Sequence, residues 1–128
     1  MAETKTVLVN DGGAPVRILN FTAAAAISAG EICAIDSNGK AALAANNNLP
    51  MAGVALVDAA SGDLVSLVTG SGVIIRMICK ANVTTGQNLM VDEAVAGSAL
   101  LMAAGSDNVA IGVALEAGDG GLTKCLVF

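Results

Sequence analysis

MAGVALVDAASGDLVSLVTGSGV (residues 51–73) contains two apolar runs, Ala52–Val57 and Leu64–Thr69, separated by Ser61-Gly62 and closed by Gly70-Ser71-Gly72. Each run is too short for a stable helix, carries valine, and is bounded by turn-forming residues, which together read as strand–turn–strand. The same grammar extends in both directions along the chain. Further strand-like runs are Thr6–Val9, Pro15–Phe21, Glu31–Ile35, Lys40–Ala44, Gly72–Cys79, Asn88–Val91, Ser98–Met102, Val109–Leu115 and Leu122–Phe128. Many short strands divided by glycine-bearing turns indicate an all-β fold, a small single-domain β-barrel or sandwich. Asn38-Gly39 is the clearest hairpin, since Asn-Gly suits a two-residue type I′ turn. Ala23–Ala26 has helix propensity but is too short to nucleate a helix alone, so it reads as a loop with at most one helical turn.

An internal near-repeat runs through the chain. Ile27-Ser28-Ala29-Gly30 leads to Ile35-Asp36, and Val83-Thr84-Thr85-Gly86 leads to Val91-Asp92. Gly53-Val54-Ala55-Leu56 recurs as Gly112-Val113-Ala114-Leu115, each followed by a glycine turn and an apolar strand. Either a duplication or two similar hairpin solutions would produce this pattern. The halves are too small to stand apart, so residues 14–128 are expected to form one β-rich domain around a shared core. The small residues of the two GVAL runs suit close backbone approach.

Residues 1–13 differ in character. Met1–Lys5 is polar, Thr6–Val9 is strand-like, and Asn10–Gly13 is a flexible connector. Nothing in the neighbouring sequence offers this extended N-terminal arm a packing partner. It is either a frayed terminus or a strand that adds to the sheet edge of another molecule.

Composition narrows the function. Hydrophobic residues make up 55% and charged residues 13% of the 128, which excludes intrinsic disorder and leaves apolar surface to be covered by partners. A mean hydropathy of +0.73 raises the question of membrane insertion. A spanning helix needs about 20 apolar residues in a row, and the longest charge-free stretch, Ala41–Val57, is interrupted by Asn46, Asn47, Asn48 and Pro50. The start MAETK has no apolar run behind it and does not read as a secretory signal, so the chain is expected to remain in the compartment where it is made. The net charge of −5 repels phosphate, the six lysines and arginines are scattered, and Phe21 and Phe128 alone cannot form a stacking platform. Nucleic acid is therefore not an expected partner.

The residue inventory also leaves little room for catalysis. The absence of histidine removes the usual general base, the commonest metal ligand and the histidine-activated nucleophiles. Cys33, Cys79 and Cys125 are far apart in apolar runs and read as buried packing thiols rather than metal ligands. Asp58 with Asp63, and Asp92 with Glu93, are the nearest paired carboxylates, and both read as solvated turn residues. Glu116–Gly121 lacks the alternating oxygen ligands of a calcium loop and the lysine of a phosphate loop. No catalytic, cofactor-binding or metal residue is expected.

From Val16 to Phe128 the chain resembles the capsid cement, or head decoration, proteins of tailed bacteriophages. The resemblance is carried by AAAAISAGEICAI (residues 23–35), the residue 51–73 stretch, and IGVALEAGDGGLTKCLVF (residues 111–128). It implies a β-rich, non-enzymatic protein, commonly trimeric, made in the host cytoplasm and bound outside an icosahedral capsid. There it would clamp neighbouring major capsid subunits and stabilise the expanded shell. On that implication the arm residues Thr4, Thr6, Val7, Leu8 and Val9 become candidates for capsid binding. Another virion β module, such as a head fibre base or tail component, is the alternative, followed by an oligomeric small-molecule-binding barrel.

Overall fold

The computed structural model of the chain describes residues 6–9, 14–45, 51–102 and 109–128. Ten strands follow one another: β1 (Arg17–Thr22), β2 (Ile32–Ile35), β3 (Ala41–Leu43), β4 (Gly53–Ala55), β5 (Leu64–Thr69), β6 (Ile74–Ile78), β7 (Asn88–Val91), β8 (Ala99–Leu101), β9 (Gly112–Ala114) and β10 (Leu122–Val127). The fold is all-β, and none of the described residues is helical. Accordingly, no described helix is long and apolar enough to cross a membrane.

The strands form two five-stranded antiparallel sheets, ordered β1-β5-β4-β2-β3 and β6-β10-β9-β7-β8. The second order is the first carried forward by five strands. Registers agree as well: Ile18 lies opposite Val68 in one sheet, and Ile74 opposite Leu126 in the other. Each sheet curls until its outer strands meet in one parallel bridge, Ala23 to Ala41 in the first and Cys79 to Ala99 in the second. Ala24 N–H donates to Ala41 O (2.8 Å), and Lys80 N–H to Ala99 O (3.0 Å), at the two seams. Small residues occupy the seams because a closed five-stranded sheet leaves little interior width. The alanine run at 23–26 thus serves as a seam and takes no helical turn.

Burial follows the two-residue period of strands. On β10, Thr123, Cys125 and Val127 point inward, while Leu122, Lys124 and Leu126 are half-buried. The first sheet encloses Ala23, Ile27, Cys33, Ala41, Ala55, Val65 and Leu67. Its opposite face, through Ile32, Val54 and Val68, joins the larger cluster that contains Ile75, Met77, Leu89 and Val127 of the second sheet. Strand β4 is covered on both faces, so Gly53, Val54 and Ala55 are all buried. The halves are also joined by backbone bonds from Ile32 N–H to Gly97 O (2.8 Å), Gly97 N–H to Ala44 O (2.8 Å) and Ile78 N–H to Gly30 O (2.9 Å).

The β2–β3 hairpin lies where Asn38-Gly39 placed it, with a different turn. Asp36 N–H donates to Lys40 O (2.9 Å), so Ser37, Asn38 and Gly39 form a three-residue loop instead of a two-residue one. Asp36 Oδ1 accepts the N–H groups of Asn38 and Lys40 (both 2.9 Å), and Gly39 takes a φ of 76°. The aspartate side chain replaces strand partners inside the turn, which favours the longer loop.

Candidate functional site

Residues 6–9 of the arm dock on their own chain. Leu8 bridges Ile75 antiparallel, Arg76 N–H donates to Val7 O (2.7 Å), and Val9 N–H donates to Ile74 O (3.1 Å). Arg76 also donates from Nη1 to Thr6 O (3.0 Å), fixing the segment's start with a charged donor. Val7 is only 4% exposed and belongs to the main core, whereas Leu8 and Val9 are half-buried and Thr6 is exposed. The expectation that this segment lacks a packing partner is therefore corrected at residues 6–9. Strand β6 is an outer strand of its sheet and offers unpaired backbone groups to a nearby extended segment. Thr4 and the Asn10–Gly13 connector lie outside the described residues.

Beside the docked segment runs an open groove of about 700 Å³, lined by Thr6, Val7, Leu8, Ala29, Leu56, Val57 and Asp58. Its walls are chiefly apolar, and Val57 is exposed. Asp58 is exposed and accepts a bond from Ala29 N–H (2.8 Å), tying the loop before β2 to the loop after β4. The arm thus forms one wall of a groove whose other walls belong to the first half. Sequence reading named the arm residues but missed Ile74, Ile75 and Arg76 as their partners, because no local pattern links position 8 to position 75.

The carboxylates separate by environment. Asp58 and Asp63 are exposed, as their turn setting suggested. Asp92 differs: it is buried, and its Oδ2 lies 2.8 Å from Lys80 Nζ. Burial acts to raise its pKa, but the Lys80 ammonium and the Ala94 N–H (2.9 Å) outweigh that and hold the carboxyl below its ordinary value. Reading Asp92 as a solvated turn residue is corrected accordingly, while Glu93 beside it is exposed.

The three cysteines are all buried. Burial, helped by Glu31, pushes the Cys33 thiol up to about 12. Cys79 and Cys125 face each other with sulfurs 3.8 Å apart, and that contact together with burial raises Cys125. Among the described residues, no cluster of three or more histidine, cysteine, aspartate or glutamate side chains could hold a metal ion.

Residues 13–127 match the phage cement protein family. The chain belongs to that family. A cement-family chain is a capsid-associated structural protein of the phage virion, and the two-sheet fold described above is how this member is built. It is also similar to a solved structure described as the head fiber gp8.5 N base in bacteriophage phi29, with 20% identity and a TM-score of 0.68, covering 89% of this chain and 95% of that one. That likeness shows a shared fold. No curated protein matches the cement-family chain.

Proposed function

We propose that this protein binds the outer surface of an icosahedral phage capsid as a homotrimer and stabilises the expanded shell by clamping neighbouring major capsid subunits. The observation that carries the proposal is the family match over residues 13–127, nearly the whole chain. The exposed apolar side chains Ile18, Val57, Leu64 and Phe128 support it, since such surface calls for partners. The protein would be made in the host cytoplasm and would act without catalysis, cofactor or nucleic acid.

Within this reading, the arm and its groove form the capsid-facing surface. Val7 holds the segment to β6, while Thr6, Leu8 and Val9 keep surface open to a capsid strand or loop; Thr4, outside the described residues, is proposed as a further contact residue. The test mixes purified protein with undecorated expanded shells, pellets them, and measures bound copies and the heat needed to rupture the shells. Binding with a raised rupture temperature is the expected result. Binding without protection would remove the clamping role.

The likeness to the phi29 head fiber base favours a second reading, in which the domain seats a fibre on the head. Cryo-electron maps of decorated particles distinguish the two. Density confined to a low cap supports the cement role, and a projecting rod supports the fibre base.

A further inference from the structure

The contact between the two halves of the chain has one side that is used and one that is bare. In the used side, the loop ending at Gly30 lies against the second sheet. Ile78 N–H donates to Gly30 O (2.9 Å), and a Cβ at Gly30 would overlap Leu122 Cδ2 and touch Ile78 Cδ1. The strand order and registers make Gly86 the counterpart of Gly30, Thr22 that of Ile78, and Leu64 that of Leu122.

The counterparts have the same conformation without the covering. Gly86 has a φ of 86° against 88° for Gly30, and its N–H donates to Ala114 O (2.8 Å) as Gly30 N–H donates to Ala55 O (2.8 Å). Yet a Cβ at Gly86 would meet nothing within 4 Å. Leu64 is 73% exposed, more than any other large hydrophobic residue described. The Thr22 N–H, at the outer edge of β1, has no backbone partner of the Gly30 kind among the described residues. Ile18, on that edge strand, is 50% exposed. A single chain thus presents the loop and, separately, the surface that such a loop covers.

We infer that a second copy of this chain docks its Val83–Gly86 loop against Leu64 and the outer edge of β1, head to tail, repeating between copies the contact that joins the halves of one chain. Gly86 O accepts the Thr22 N–H, and Leu64 closes over Gly86. Two departures limit the repetition to the loop. Asn88 stands where Ile32 is buried in the first half, so this part of the contact is polar. The turn between Asp36 and Lys40 is two residues shorter than that between Asp92 and Ser98, so it has no reach like that of Gly97. A contact between two different surfaces closes into a ring only when the rotation per copy fits. With three copies the ring alternates first and second halves around the axis. This inference rests on the proposed homotrimer and specifies its interface.

Cysteine cross-linking tests it, using exposed positions that leave the fold intact. The double variant Leu64→Cys with Thr85→Cys is treated with diamide, free in solution and bound to shells, and run on a non-reducing gel beside each single variant. Covalent dimers and trimers from the double variant, with neither single variant linking to itself, is the expected result. Leu64→Cys linking to itself would show a two-fold contact and overturn the inference. Absence of links in a protein that scattering or particle maps show to be trimeric would also overturn it, leaving the homotrimer reading standing. Monomers both in solution and on shells would remove that reading and the inference with it.

Discussion

Leu8 stands opposite Ile75 in an antiparallel bridge that ties the N-terminal segment to the outer edge of β6. The contact encloses all of β1–β5, so closing it costs loop entropy that burial of Val7 and the backbone bonds around it must offset. A segment held in this way contributes to the stability of the domain as well as to its surface.

Deleting residues 2–9 is expected to lower stability by about 1–3 kcal/mol, through the lost burial of Val7 and the reopened edge of β6. Hydrogen exchange provides the specific readout. The Arg76 amide, now bonded to Val7 O, should exchange much faster, while the Ala114 amide, bonded to Gln87 O, should keep its protection. An unchanged Arg76 rate would show that the segment does not hold this edge in solution.

The Lys80–Asp92 pair predicts a particular acid response. The Asp92 carboxyl is held below its reference value of 3.8, so the folded state binds that proton more weakly than the unfolded state does. Its stabilisation is complete above about pH 4–5 and is lost as pH falls through the lowered value. Asp92→Asn should lower the urea midpoint at pH 7 and flatten the stability curve between pH 5 and 2. The expected loss is about 1–2 kcal/mol, below that of a fully buried pair, because Lys80 is 36% exposed and partly screened by water. An acid limb identical in wild type and variant would count against the pair.

Strand positions were legible because they are local. Leu64–Thr69 and Asn88–Val91 fall where their apolar runs and glycine boundaries put them, and the remaining strands differ from their runs only at the ends. Pairing was legible only across a turn, as at Asn38-Gly39 between β2 and β3. The β1–β5 and β2–β4 pairs and the arm's place beside β6 are set by closure of each sheet rather than by residues adjacent in sequence. Asp92 shows the same limit at a single side chain. Its turn composition suggests solvent, but folding brings Lys80 beside it, and the two are buried or half-buried together. The arm residues read as a strand, of which the fold keeps one isolated bridge, Leu8 to Ile75, and the surface they meet was not legible.

The paired glycines of the GVAL strands give a packing prediction. A Cβ at Gly112 would lie 2.5 Å from Leu126 O, and one at Gly53 would lie 2.9 Å from Val68 O. Both obstacles are backbone atoms of the neighbouring strand, which can yield only by spreading the sheet. Gly112→Ala and Gly53→Ala should each destabilise the fold by roughly 1–3 kcal/mol, Gly112→Ala the more. Chemical denaturation of the two variants checks both the size and the order of the effects.

The thiols provide a last prediction, about access to the interior. Cys33, Cys79 and Cys125 each have no exposed surface, and Cys33 is raised to about 12 by burial and Glu31. A thiol reagent attacks the thiolate, which burial makes scarce at Cys33, and its path to each of the three sulfurs is blocked. Modification of the native protein at pH 8 should therefore wait for opening of the fold and follow its unfolding rate. In urea all three should react at once. The closed sheets make the order of exposure informative: Cys79 and Cys125 sit sulfur to sulfur inside the second sheet and should become reactive together, while Cys33 reports on the first. Cys125→Ala should cost about 1 kcal/mol by leaving a small gap beside Cys79, and should speed modification of Cys79 in the native protein without changing that of Cys33. Equal acceleration at Cys33 and Cys79 in this variant would show that the two sheets open as one unit. Rapid native modification of any one cysteine would place that thiol outside the core.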